Sequence, residues 1–384
     1  MNVQKIATGV AALMTACLAA FAPVEAPGAP ARGARSAMPR YDHIIVIIGE
    51  NKGFERLMDH PELTPNLVRL AAKYGQASQF YGEVHPSEGN YVAMLGGDTF
   101  GIHDDDAFYC KPHLKDPFCE ASDQPGYADH TVRARSLMDQ LAAQDLTWKG
   151  YFEDLPAAGS LVPRWPNATY PVEGKPEQLY AAKHNGFVSF ADVQGAPYLW
   201  RTQHIVNFRQ LDADLASGQL PNYAHIVPNQ CNEMHGLGGD DAPVVPEGCR
   251  EDQDEAAVIR RGDAEFGMLV DKIIHSKVWA ERGNVAIVIT FDENDKPARS
   301  AGPQGCCGYD PHSPANFGGG RIPTIVITNH GPRGLTDPTP YNHYSLLRTT
   351  EAAFGISTYL GHASDRNRGV VAMTPLFAVN ADTP

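Results

Sequence analysis

The run His43-Ile44-Ile45-Val46-Ile47-Ile48 is short, β-branched and flanked by polar residues, so it reads as a strand buried on both faces of a parallel sheet. Further strands are expected at 77–81, 147–152, 223–227, 285–290 and 322–327. Helical segments fall between them. Thr64-Pro65 offers a capping hydroxyl and a proline at the first helical position, opening a helix to about Tyr74 that Gly75 stops. Ser87-Glu88 opens another, which ends at Gly96-Gly97, and helices are expected at about 132–144, about 254–275 and after Ser345. Alternating strands and helices predict an α/β three-layer sandwich with a mainly parallel central sheet. Residues 98–197 are polar, rich in proline and glycine, and are expected to form a lid-like insertion within a single domain, 37–384. There is no internal repeat.

Residues 1–36 stand apart from this pattern. Lys5 precedes a nearly unbroken apolar run, 6–22, and a small-residue, proline-rich stretch follows. That order predicts a secretory signal peptide and leader, and the run falls short of the ~20 apolar residues a membrane span needs. Pro23 and Pro27 leave the cleavage bond unassigned, and Met14-Thr15-Ala16 makes a poor lipobox before Cys17. The mature chain is therefore expected to be secreted or periplasmic, with no integral span. The whole chain carries a formal charge of −14, which opposes nucleic acid and anionic membrane, whose affinity rests on Lys and Arg releasing counterions. A small phosphate substrate stays open, because a bound cation inverts the local field.

Seven cysteines include Cys17 in the leader, which leaves six. An even count in an exported chain predicts disulfides, although six cysteines allow fifteen connectivities. Proximity favours Cys110–Cys119 and Cys231–Cys249. The adjacent Cys306 and Cys307 then bond either to each other or elsewhere. No CxxC pair is present, so structural zinc is not expected.

Sites in open α/β sheets lie just beyond the carboxyl ends of the strands. Those positions hold Glu50-Asn51, then His85-Pro86-Ser87-Glu88-Gly89-Asn90, then Asn229, Asn232 and His235, and last Asp292-Glu293-Asn294-Asp295. Adjacent side chains within a strand point to opposite faces, so Asp292 and Glu293 reach one site only where the strand has ended. With Glu50 they form a costly cluster of like charge unless a cation joins them. Carboxylates with an amide oxygen make a hard, oxygen-rich set suited to calcium, magnesium or manganese. A lone D-E-N-D is commonly a solvated loop; the matching Glu50-Asn51 at another strand end turns the reading toward metal.

Ser87 opens a helix after a strand, where free N–H groups and the helix dipole favour an anion. By position alone it is an N-cap. A cation beside it makes it a nucleophile. G-x-S-x-G, H-E-x-x-H and a P-loop are all absent. His235 and His312 stand in turn-rich segments and are candidates to hold a phosphoryl oxygen or to protonate a leaving alkoxide. His85, His184 and His343 rank below them, His343 as the entry to the last helix.

At these residues the chain resembles the bacterial phosphoesterase family that holds secreted acid phosphatases and phosphatidylcholine-type phospholipases C, within the alkaline-phosphatase-like superfamily. The likeness begins with Asp42-His43-Ile44-Ile45-Val46-Ile47-Ile48 leading into Glu50-Asn51. It continues through His85-Pro86-Ser87-Glu88-Gly89-Asn90-Tyr91, Lys183-His184-Asn185-Gly186-Phe187, and Ile226-Val227-Pro228-Asn229 with Asn232 and His235. Arg261-Gly262-Asp263, Thr290-Phe291-Asp292-Glu293-Asn294-Asp295, Gly319-Gly320-Arg321-Ile322-Pro323 and Tyr341-Asn342-His343-Tyr344-Ser345-Leu346-Leu347-Arg348-Thr349 complete it. Each piece is weak alone; the ordered set is specific.

The resemblance implies an alkaline-phosphatase-like fold and a divalent metal ion held by Glu50, Asn51, Asp292 and Glu293 against the nucleophile Ser87. Asn90 falls in the catalytic set of the same motif, and His235 and His312 match phosphate-binding or leaving-group histidines. The metal is left open among calcium, magnesium, manganese, iron and zinc. Gly89 and Gly186 stand where family members often carry proline, and Lys52-Gly53-Phe54 replaces the more usual Arg/His-Ser-Phe. These departures touch loop stiffness and leave the substrate open, either a small phosphate ester or a phospholipid headgroup. The compact His-Pro-Ser-Glu motif looks more like the acid phosphatase branch. Three readings follow: a phosphomonoesterase, phosphoinositides among its substrates; a phospholipase C-type phosphodiesterase; and an exported binding domain without catalysis.

Overall fold

The aliphatic run expected to be a buried strand lies inside a nine-stranded sheet of the computed structural model. The structure describes Met1 and residues 37–380, apart from 108, 111–115, 117, 120–128, 239–244, 281–282, 296–303 and 314–316. The expected signal peptide at 1–36 falls outside the described residues. In chain order the strands are β1 (His43–Gly49), β2 (Gly75–Tyr81), β3 (Trp148–Phe152), β4 (Arg164–Trp165), β5 (Tyr180–Ala181), β6 (Ile205–Asn207), β7 (Tyr223–Val227), β8 (Val285–Phe291), β9 (Arg321–Thr328), β10 (Leu335–Asp337) and β11 (Tyr341–Asn342). The large sheet runs β10-β2-β9-β8-β1-β7-β3-β6, with β11 also paired to β2, while β4 and β5 form a separate ribbon. The parallel pairs dominate, as expected. Strand β9 alone runs antiparallel to its neighbours β8 and β2. Its first residues therefore start at the same sheet edge where β8 ends.

The helices are α1 (Phe54–Met58), α2 (Pro65–Lys73), α3 (Glu88–Gly96), α4 (Leu137–Ala142), α5 (Ala191–Gly195), α6 (Tyr198–His204), α7 (Phe208–Ser217), α8 (Glu251–Ile274), α9 (Lys277–Ala280) and α10 (His343–Ala353). Thr64 does not cap α2 as expected; its hydroxyl donates to the Leu57 carbonyl at 2.6 Å. Asp263 of α8 does that work, accepting from the backbone N–H groups of Asn66 and Leu67 at 3.0 and 2.9 Å. Helix α4 is shorter than expected because Val132 instead pairs with Phe190 as an isolated bridge. It begins at Ser136, where a capping box with Asp139 satisfies the free N–H groups. Asp254 interrupts α8 with non-helical torsions, and its carboxylate caps Ala257.

The segment 98–197 is threaded into the fold. Its strand β3 pairs with both β7 and β6 in the large sheet. All three adjacent cysteine pairs are bonded, Cys110–Cys119, Cys231–Cys249 and Cys306–Cys307. That closes the question left open for the vicinal pair.

Two of the glycines that replace proline are close-approach positions. A Cβ on Gly89 would stand 2.6 Å from the Ile102 carbonyl oxygen, and one on Gly186 would stand 2.5 Å from the Tyr91 carbonyl oxygen. Bare backbone at 186 lets the turn that carries Lys183 and His184 lie directly on α3. Gly186→Ala should force that turn away and cost about 1–3 kcal/mol, the usual range for overpacking, in a urea unfolding titration.

Candidate active site

The carboxyl ends of β1 and β8 meet at Glu50 and Asp292. The Asp292 N–H donates to the Gly49 carbonyl at 3.2 Å, and the Asn51 N–H donates to Asp292 Oδ1 at 2.9 Å. Asn51 takes a positive φ of 55°, a conformation that asparagine tolerates better than most residues. From beyond β7, Glu233 joins the same edge, its carbonyl accepting from the Glu50 N–H at 2.8 Å. The carboxylates of Glu50, Glu233, Asp292 and Glu293 are all fully buried.

Helix α3 brings the hydroxyl. Ser87 donates to Glu50 Oε1 and lies 3.5 Å from Glu293 Oε1. Tyr91, one turn further along the same face, donates to Glu50 Oε2 at 3.0 Å. His85 pairs with Glu293, its ring stacked on Phe317. His184 lies between two carboxylates, 3.2 Å from Glu50 Oε1 and 2.8 Å from Glu233 Oε1. The His235 ring is 5.8 Å from that of His184, and its Nδ1–H donates to the Gly236 carbonyl at 2.7 Å.

These neighbours decide the charge states. Burial, then the carboxylates of Glu50 and Glu293, holds Asp292 well above the ordinary range. Burial raises Glu233 to about 7 against the pull of His184. Glu50 goes the other way: burial opposes its ionisation, but His184 overcomes it and holds the carboxyl well below its usual value. His184 is raised to about 10, because Glu233 and Glu50 outweigh its burial. Burial and then the Lys183 ammonium push His235 down to about 3, so it rests neutral.

Among the described residues, several buried oxygens of this nest have no hydrogen-bond donor, Glu233 Oε2 among them. Asn51 Oδ1 and Asp292 Oδ2 are buried without a hydrogen-bond partner. Buried acceptors are nearly always satisfied. An amide and a carboxylate oxygen left bare beside ionised Glu50 fit a hard divalent cation. A second cluster, Glu88, Asp104 and His130, also has ligand-type atoms within 4.8 Å of one another. There the imidazole bridges Glu88 at 2.7 Å and Asp104 at 2.9 Å. Those contacts satisfy the group internally, as an ion triad.

The structure thus brings Glu50, Asn51, Ser87, Asp292 and Glu293 together, with His235 close by. Asn90 lies behind them. Its Oδ1 accepts from the N–H groups of Glu83 and Val84 at 2.8 and 3.2 Å, and its Nδ2 donates to the Val84 carbonyl, so it shapes the loop ahead of Ser87. His312 is exposed, and among the described residues its imidazole makes no observed contact with the nest. Glu233 and Tyr91 escaped the sequence reading. The spacing of Tyr91 four residues after Ser87 carries the signal for one, and the position of Glu233 between Asn232 and His235 carries it for the other.

A family model for phosphoesterases matches residues 59–357. The chain belongs to the phosphoesterase family. The match takes in Ser87, His235, Asp292 and Glu293 and starts after Glu50-Asn51. A phosphatidylinositol-3-phosphatase of Mycobacterium tuberculosis is 26% identical over 323 residues, covering 84% of this chain and 80% of that one. The phosphate-repressible acid phosphatase of Penicillium chrysogenum is 26% identical over 316 residues, which are 82% of this chain and 60% of the fungal one. Among solved structures, an alkaline phosphatase superfamily protein from Vibrio parahaemolyticus aligns at 13% identity and a TM-score of 0.47, over 91% of this chain and 73% of that one. As a phosphoesterase, the chain is a hydrolase acting on phosphoric ester bonds.

One buried carboxyl in the loop ahead of Ser87 sets a pH dependence that needs no metal. Glu83 accepts from the His343 N–H at 3.1 Å, and burial raises it from 4.5 to about 8. Between those values the folded chain keeps a proton that the unfolded chain has released. Stability is whole below pH 4.5 and is lost as pH rises toward about 8. The loss should reach at most about 1.4 kcal/mol per pH unit in urea titrations, and Glu83→Gln should flatten that slope.

Proposed function

We propose that the chain is an exported, metal-dependent phosphomonoesterase of acid phosphatase type that works through a phosphoserine intermediate. One observation carries the reading: the Ser87 hydroxyl is hydrogen-bonded to Glu50 within a buried nest of carboxylates that leaves Asn51 Oδ1 and Asp292 Oδ2 bare. Glu50, Asn51, Asp292 and Glu293 would hold the cation. Bound there, it supplies charge neutralisation for the phosphoryl oxygens, which together with positioning is most of what phosphoryl transfer needs.

The chain's own groups do the rest. Ser87 Oγ attacks phosphorus in line, its proton passing to the Glu50 carboxylate that already accepts its hydrogen bond. The bond from phosphorus to the ester oxygen breaks as the Oγ–P bond forms. Tyr91 and His184 fix Glu50 in place for that transfer. Water then cleaves the Oγ–P bond, releasing inorganic phosphate and returning the proton to Ser87. His235 carries its proton on Nδ1, which leaves Nε2 as an acceptor. That tautomer lets Nε2 accept a hydrogen bond from the attacking water, whose released proton passes to solvent as Glu50 returns its own to Ser87 Oγ. The leaving oxygen of the first step draws its proton from solvent, which closes the balance.

The named relatives support a monoester substrate, being phosphatases that the family resemblance had favoured over phospholipases. Export rests on the leader pattern of residues 1–36. The intact Ser87–Glu50 contact counts against a domain that has lost catalysis. Phosphate release from p-nitrophenyl phosphate should be measured beside phosphocholine release from phosphatidylcholine. Free phosphate is the expected product, and phosphocholine alone would overturn the monoester reading. Ser87→Ala should cut turnover to the trace left by binding alone, a loss on the order of 10³-fold or more, while metal content stays near one wild-type equivalent. Wild-type turnover in that variant would remove Ser87 as nucleophile.

A further inference from the structure

We infer that Lys183 is the cationic residue that binds the transferred phosphoryl group, positioned by Asp105; the inference rests on the phosphomonoesterase reading of the same site. Lys183 Nζ lies 2.9 Å from Asp105 Oδ2. The other oxygen of Asp105 accepts from the Glu88 N–H at 3.1 Å, and Glu88 follows Ser87 directly. One carboxylate therefore ties the ammonium to the helix start that presents the nucleophile. The 3₁₀ turn at Ala182–His184 supplies the other constraint, since the neighbouring residue His184 reaches Glu50 itself.

A phosphate monoester enters with up to two negative charges, and its equatorial oxygens need donors besides a metal ion. The other cationic group is already enclosed: His184 is held between Glu50 and Glu233 with 3% of its side chain exposed. The ion pairs of Lys52 and Arg321 run to Glu251 and Glu55, outside the nest. Lys183 differs from His184 in both respects. Its side chain is 18% exposed, and an ammonium has three donor hydrogens, of which Asp105 takes one. A compact point charge also suits a tetrahedral group that inverts during transfer, where the fixed fork of an arginine would not follow it.

Orthophosphate is the probe, measured on the metal-loaded full chain by calorimetry and as a competitive inhibitor of p-nitrophenyl phosphate hydrolysis. Lys183→Met should weaken orthophosphate binding about tenfold or more and lower kcat/KM about 10²- to 10³-fold, as loss of a transition-state donor does. Metal content should stay at the wild-type value, which a collapse of the site would not allow. Lys183→Arg should recover part of the affinity, and Asp105→Asn should raise KM more than it lowers kcat. Wild-type phosphate affinity in Lys183→Met overturns the inference. If that variant does not fold, unchanged phosphate affinity in both Lys183→Arg and Asp105→Asn overturns it instead. If the wild-type chain hydrolyses no monoester, the function reading fails, and the phosphate affinities of the same variants still decide the role of Lys183.

Discussion

Everything at this site depends on keeping four buried carboxylates within reach of one another. Two unit charges 4 Å apart repel by roughly 4 kcal/mol at the effective dielectric of a protein surface, and by more when buried. Glu50, Glu233, Asp292 and Glu293 are shielded from water, so the structure must answer that repulsion locally. It does so with His184, which pairs with Glu50 and Glu233 together, while the His85 ring contacts Glu293. Asp292 has no such partner on Oδ2, and Asn51 contributes a bare amide oxygen beside it. The imbalance is local and specific. Among the described residues, cationic help is observed on the Glu50–Glu233 side and not on the Asp292–Asn51 side, where the proposed metal ion would complete the set.

The strand ends were the part of this arrangement most legible in the sequence. Short aliphatic runs locate strands, and the residues after them locate the edge, so Glu50, Asn51, Ser87, Asp292 and Glu293 could be gathered without any structure. The antiparallel course of β9 was not legible, because a strand's own composition does not state its direction. It matters here: Gly319 and Gly320 lead into β9 against Gly82, and the Asn294 N–H donates to the Gly319 carbonyl at 2.8 Å. A Cβ on Gly82 would stand 2.6 Å from the Asp292 carbonyl oxygen. The loop after β8 is thus clamped between two glycine-lined backbones, which holds Asp292 and Glu293 beyond the end of the strand.

The histidines show where sequence reasoning runs out. Turn-rich surroundings made His312 and His235 attractive, yet such surroundings describe exposure as readily as function. His184 ranked below both. Its role comes from contacts with Glu50 and Glu233, residues 134 and 49 positions away, and no local pattern encodes those. Thr64 teaches the same lesson in a helix cap. The residue type at the N-terminus was right, but Asp263 from a distant helix supplied better hydrogen bonds.

The last helix closes the argument about rigidity. Fully buried His343 contacts the Phe291 carbonyl through Nε2 at 2.9 Å, and Phe291 directly precedes Asp292. Burial lowers this imidazole to about 4, so at neutral pH it is an uncharged donor that adds no charge beneath the carboxylates. The N–H of the same residue donates to Glu83, whose own N–H is held by Asn90 in the loop ahead of Ser87. A continuous set of hydrogen bonds therefore runs from the end of β8 through α10 to the loop ahead of Ser87. Ser87 and Asp292 are fixed relative to each other by this path as well as by the carboxylates between them. Under the proposed mechanism, a site that places a hydroxyl against phosphorus to within a fraction of an ångström needs that second, uncharged connection, because the charged one would change with every proton and cation that enters.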